Sequence, residues 1–179
     1  MTIKVYRDSR SLDFKRLGKD SPDAWDNNDK NNMLDVFQLW HNGRILHECK
    51  VQTVANIPGG RFLNTIAPGI FGIKLFVEPR AFRGRIHGIV NAVDLEGQRI
   101  DGRSVEPVPG KNGAPVDFAR WLEHDTQKHA PAAPGEVTRV AWSAGCIIHH
   151  PNDLELLGDI YDAYGLAPGT VIDAELVML

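Results

Sequence analysis

Polar and apolar residues alternate along several stretches of the chain, and most of the elements they predict are strands. "IKVYR" near the start predicts a short first strand. Two β-rich runs then flank Asn42-Gly43, the dipeptide a tight two-residue turn prefers because both central residues need positive φ. Strands are expected over 34–40 and 45–54. "IFGIKLFVE" predicts another, carried by Ile70, Phe71, Ile73, Leu75 and Val77, and residues 85–93 a further one. "VTRVAW" reads as a strand leading into "SAGC", and "GTVIDAELVML" as a closing strand.

Helical periodicity occurs twice. In "PNDLELLGDIYDAYG", Leu154, Leu157, Ile160, Tyr161 and Tyr164 form one apolar face. Asn152 is placed to cap it, Glu155 stands three residues on as a capping box requires, and Gly165 is placed to end it. "VDFARWLEHDTQKHA" sets Phe118, Trp121 and Leu122 at helical spacing, with Glu123, Asp125 and Lys128 left to face water. The Pro- and Gly-rich stretches "PVPGKNGAP" and "APAAPGE" bracket it, so 104–136 reads as a helical insertion. The polar stretch ending in "DNNDKNN" reads as loop, because it lacks ordered calcium-ligand spacing. Strands dominate, so the class is mostly β or α+β, in one domain spanning 1–179.

Composition narrows the function classes. The 179 residues are 42% hydrophobic and 24% charged with net charge −3, enough for a real core and without the basic excess that nucleic acid or an anionic membrane calls for. Two cysteines are too few for a disulfide framework. No apolar run approaches a membrane span, and "MTIKVYRDSRSLDF" carries no signal-peptide h-region. The expectation is a chain made in the cytoplasm, with no membrane span, that reaches any outside target by a non-standard route or after losing a leader.

"SAGCIIHH" raises the chemistry. A cysteine nucleophile needs a base to form the thiolate and donors to hold an oxyanion. Gly145 would let the backbone turn tightly at Cys146. Of seven histidines, His87 in "RIHG" is the leading base, ending a strand-like run beside Gly88. His149 and His150 follow the cysteine, pointing in opposite directions on a strand end. Cys49, in "ILHECKVQ", alternates onto one face with His47 and Val51 and reads as structural. A metal alternative would gather Cys146, His149, His150 and His87 around zinc.

His87-Gly88 upstream of Ser143-x-Gly145-Cys146 resembles the signature of the L,D-transpeptidase (YkuD-like) catalytic domain. "APGIFGI" resembles that family's strand entry before the histidine, and "PNDLELLGDIYDAYGLAPGTVIDAEL" the helix and final Gly-Thr strand after the cysteine. The resemblance covers about 63–103 and 137–177. It implies a β-sandwich-like catalytic domain, with the insertion and a helix after the cysteine motif, acting on peptidoglycan stem peptides without a cofactor or metal. Carried over, Cys146 is the nucleophile, His87 its base, Gly145 and Cys146 the oxyanion donors, and Ser143, Ala144 and Gly88 the substrate contacts. The product is a transpeptide or, with water, a carboxypeptidase product. The chain departs from the family in its long His87–Cys146 gap, in Ile148 where an Arg or Asn is common, and in having no hydroxyl after the histidine. Ile148 keeps open a catalytically inactive cell-wall-binding module. No side chain in the sequence is identifiable as the group that orients His87.

Overall fold

The computed structural model describes residues 1–8, 35–53, 66, 68–75, 86–93, 122–125 and 146–179. Strand β1 (Thr2–Arg7) pairs antiparallel with β2 (Asp35–His41), and β2 with β3 (Arg44–Gln52). The β2–β3 turn is at Asn42-Gly43, with φ of 48° and 75°, the double positive φ the dipeptide predicts. Next in the chain come β4 (Gly69–Lys74), β5 (His87–Val93), β6 (Leu122–Asp125), β7 (Ile147–His149), helix α1 (Pro151–Ala163) and β8 (Val171–Met178). The described residues are therefore mostly β with one helix, as the alternation predicts.

The strands close into a ring in the order β1-β2-β3-β7-β6-β5-β4-β8. Two seams are parallel: β6 with β7, and β8 with β1 where the ring closes. In this order β7 and β8 stand four places apart in a ring of eight, on opposite sides. The 13-residue helix joining them, about 20 Å long, therefore has to cross the barrel. Its Leu154, Leu157 and Tyr161 are buried in one core cluster with Ile3, Val5, Phe37, Leu39, Val51, Ile73, Ile147, Ile172 and Leu176. The inward set follows strand alternation: in β1 Ile3 and Val5, in β8 Ile172, Ala174 and Leu176.

Two sequence expectations are corrected. The segment expected to be helical contains a strand, because Leu122–Asp125 adds to the ring between β5 and β7. Its Glu123 and Asp125, expected to face water, are buried. Strand partners on both sides satisfy the backbone here, and tertiary pairing outweighs the local helical spacing. The rest of 104–136, with Phe118 and Trp121, lies outside the described residues. The helix, in turn, is capped by His150 and not by Asn152: the His150 ring accepts the Asn152 N–H, and Pro151 occupies the first turn where its missing N–H costs nothing. At the other end Gly165 N–H reaches Asp162 and Leu166 N–H reaches Tyr161, the paired bonds of a Schellman ending, with Gly165 at φ 67°.

One buried polar knot ties the first three strands. Arg7 is fully buried, donates to the Thr53 hydroxyl (2.8 Å) and carbonyl (3.2 Å), and lies 3.8 Å from Asp35. The Thr53 hydroxyl donates in turn to Asp35. Such a charge pair is tolerable inside because hydrogen bonds to Thr53 and to the Asp8 N–H accompany it.

Candidate active site in the barrel

The ring places His87, Glu123 and His149 on three adjacent strands. His87 opens β5, and its register partner on β6 is Glu123. Glu123 pairs in turn with Ile147 of β7, two residues before His149. Directly opposed and alternate residues share a face, so all three side chains point into the barrel, where none is exposed to solvent. Glu123 Oε2 lies 2.7 Å from His87 Nδ1 and Oε1 lies 2.8 Å from His149 Nε2. The far nitrogen of His149, Nδ1, is 3.5 Å from Cys49 Sγ on β3. The edge of Phe37 packs on the His149 ring at 4.6 Å, and Tyr161 of α1 lies 5.6 Å from the His87 ring.

Protons can be assigned from the partners. Burial works to raise the Glu123 pKa, but the hydrogen bonds from His149 and His87 more than offset it and hold the carboxyl at about 2. Glu123 is therefore a carboxylate at neutral pH and can only accept, so His87 Nδ1 and His149 Nε2 both donate to it. Burial, with the nearby Asp153, Glu123 and Glu48 charges, pushes the Cys49 thiol well up. Cys49 stays protonated and donates its S–H to His149 Nδ1. The same Glu123 charge, after burial, pushes the Tyr161 phenol up, and its hydroxyl is buried without a hydrogen bond among the described residues.

One carboxylate thus fixes the tautomers of two histidines. With its proton on Nδ1, His87 has its acceptor nitrogen at Nε2, the geometry by which a carboxylate can orient an imidazole. Glu123 is the orienting group that the sequence left unnamed. A helical reading of 116–130 puts it on the solvent face. Hydropathy gives no warning of a carboxylate inside a barrel; the signal available was a Glu-His-Asp run beside a short apolar neighbour.

The other predicted residues fall as follows. Cys146 is a half-buried thiol, outside any disulfide, immediately before β7. Extending the parallel register by one residue sets it level with Leu122 of β6, which pairs with Gly88 of β5. Cys146 is therefore level with Gly88, two strand spacings or about 10 Å away across the sheet, and the alternation that turns Ile147 and His149 inward with His87 sets it on the other face. Gly88 is buried in β5. Ser143, Ala144 and Gly145 lie outside the described residues, as does the strand expected at "VTRVAW". Cys49 shares its inward face with Val51 and is buried, as alternation implied. Cys146, His149, His150 and His87 are not gathered into one ligand cluster: His149 and His87 both turn to Glu123, and His150 caps the helix. Burial lowers the His150 pKa, with Asp153 opposing.

Fold and site together define a closed eight-stranded β-barrel, crossed by one helix, that carries a buried cysteine–histidine–carboxylate–histidine line. No family model matches the chain, and no solved structure does. Over 156 residues it is 35% identical to a protein of Treponema pallidum (strain Nichols) described as an uncharacterized protein, in a match covering 82% of this chain and 67% of that one. The chain belongs to the family of that Treponema pallidum protein. Among the described residues no helix is long and apolar enough to cross a membrane.

Proposed function

We propose that the chain is a cysteine enzyme of L,D-transpeptidase type that processes peptidoglycan stem peptides through a thioester on Cys146. The observation that carries this reading is the His87–Glu123 pair. A buried carboxylate 2.7 Å from Nδ1 presets the histidine of the "IHG" motif as a base acting through Nε2. The half-buried thiol of the "SAGC" motif stands level with Gly88, the residue that follows that histidine. In this reading the closed ring is the β-sandwich of that family with its edges joined.

His87 Nε2 takes the Cys146 proton. The thiolate attacks the carbonyl between the diamino acid at the third position of the stem and its terminal D-alanine. The backbone N–H groups of Gly145 and Cys146 hold the oxyanion. The proton on His87 passes to the departing D-alanine amine, leaving an acyl thioester. Attack by water gives a carboxypeptidase product, and attack by an amine gives a crosslink. Glu123 acts through His87, balancing the imidazolium charge while the proton is in transit.

Mass spectrometry of tetrapeptide muropeptides incubated with the protein tests the reading. Loss of D-alanine or a new crosslink is expected, with both products absent in Cys146→Ala and His87→Ala variants that keep the wild-type circular dichroism. No product from the wild-type protein refutes it. Activity that survives Cys146→Ala but disappears in Cys49→Ser assigns the nucleophile to the Cys49–His149–Glu123 line instead.

A further inference from the structure

Beneath the start of α1 is a second group of chemically active side chains that the proposed reaction does not use. His47 and Cys49 are two residues apart on β3 and so project from the same face. Asp153, in the first turn of α1, comes down over them. One ligand atom from each of the three lies within 4.8 Å of the other two. His47 Nε2 and Asp153 Oδ1 are 3.4 Å apart.

We propose that His47, Cys49 and Asp153 bind a zinc-class divalent metal ion. In a tetrahedral zinc site with bonds of about 2.0–2.3 Å, neighbouring donor atoms stand roughly 3.3–3.7 Å apart. The His47–Asp153 separation already has that value, and small rotamer shifts bring in Sγ. A second observation is independent of this spacing. The His47 side chain is only 9% exposed, and among the described residues its Nε2 finds no hydrogen-bond partner although it faces the Asp153 carboxylate. A buried imidazole nitrogen is normally hydrogen-bonded. Two groups at ligand–ligand distance without hydrogen-bond geometry are positioned to share a third atom.

The donor set selects the ion. Thiolate and imidazole favour zinc-class metals over magnesium or calcium, which require oxygen ligands. Three protein ligands leave a fourth position for water, and Asp153, about one-third exposed, marks the side from which the ion enters. On binding, Cys49 exchanges its S–H for an S–metal bond, and the released proton has an acceptor in His149 Nδ1 at 3.5 Å. That histidine, anchored to Glu123, then donates back to the bound thiolate, the outer hydrogen bond that metal-bound groups usually receive. The ion would join the first turn of α1 to β3. This assignment does not depend on Cys146 being a nucleophile.

Titration of the metal-stripped full chain with Co2+ tests it. The expected result is one equivalent bound, with the charge-transfer band of a cobalt–thiolate bond and the intense visible absorption of tetrahedral Co2+. Cys49→Ser should lose the charge-transfer band. His47→Ala and Asp153→Asn should weaken binding by more than the roughly 100-fold a neighbouring non-ligand costs. Cys146→Ser should bind as the wild type does. His47→Ala keeps the test decisive should Cys49→Ser not fold, because His47 lies at the edge of the core. Absence of Co2+ and Zn2+ binding, an unchanged spectrum in folded His47→Ala, or loss of the band in Cys146→Ser overturns the proposal.

Discussion

Replacing Glu123 by Gln removes one charge from the centre of the barrel and changes little else in shape. The folded protein holds this carboxyl at about 2 against an ordinary 4.5. That gap of two and a half units is worth about 3 kcal/mol at 1.36 kcal/mol per unit. Because the folded pKa is the depressed one, the stabilisation is fully present above about pH 4.5. It is lost as pH falls toward 2, where the unfolded chain has already taken up its proton and the folded chain is being forced to. A Gln at 123 does not titrate there. Urea unfolding at intervals from pH 7 to pH 2 should therefore show the wild type losing about 3 kcal/mol more than Glu123→Gln below pH 5. At pH 7 the variant should be less stable, because the amide presents an NH2 toward one of two histidine N–H groups and leaves a buried donor unanswered, a cost of about 1–3 kcal/mol. Parallel pH profiles for the two proteins would refute the assignment of Glu123 as a doubly hydrogen-bonded carboxylate.

Phe37→Ala should cost about 3–5 kcal/mol by calorimetry or denaturant titration, since the ring is fully buried and packs on His149. Asp35→Ala should cost a similar amount, because Arg7 would keep its charge inside the barrel without its carboxylate. Gly72→Ala should lower stability by about 1–3 kcal/mol, as a Cβ there would sit 2.5 Å from Val171 Cγ1 and 3.2 Å from Val90 Cγ2; a neutral result would show that β8 yields at that point. His150→Ala should cost about 1 kcal/mol through loss of the helix cap, read as a lower thermal midpoint with an unchanged barrel.

The elements that local rules govern were legible in the sequence. Asn42-Gly43 announces its turn because almost no other dipeptide tolerates two positive φ values, and the face from Leu154 to Tyr161 announces α1 because helical period and burial coincide. The strand at 122–125 was not legible: four residues are too few for alternation to register, and the apolar spacing from Phe118 to Leu122 favours a helix until neighbouring strands are known. The site follows the same division. His87 was visible from its motif, whereas the bond that orients it depends on β6 lying between β5 and β7, a pairing between segments more than twenty residues apart in the chain. Cys49 was placed on the correct face, but its link to His149 required β3 to pair with β7.

The parallel seam between β1 and β8 has a consequence for how the protein is made. Strand β1 is held on one side by β2, yet its other edge stays open until Val171–Met178 has been synthesised. β4 waits for the same partner. At about 5–20 residues per second, an interval of several seconds separates the appearance of β1 from any possible closure. During it two strand edges are available to wrong partners, including the same edge on a neighbouring nascent chain. The contacts that finish the ring span nearly the whole sequence, so the last step of folding is also the one with the greatest loop-closure entropy to overcome. Crowded polysomes are where this barrel is most exposed to misassembly, and a chaperone that shields early strands would act there on yield rather than on final stability.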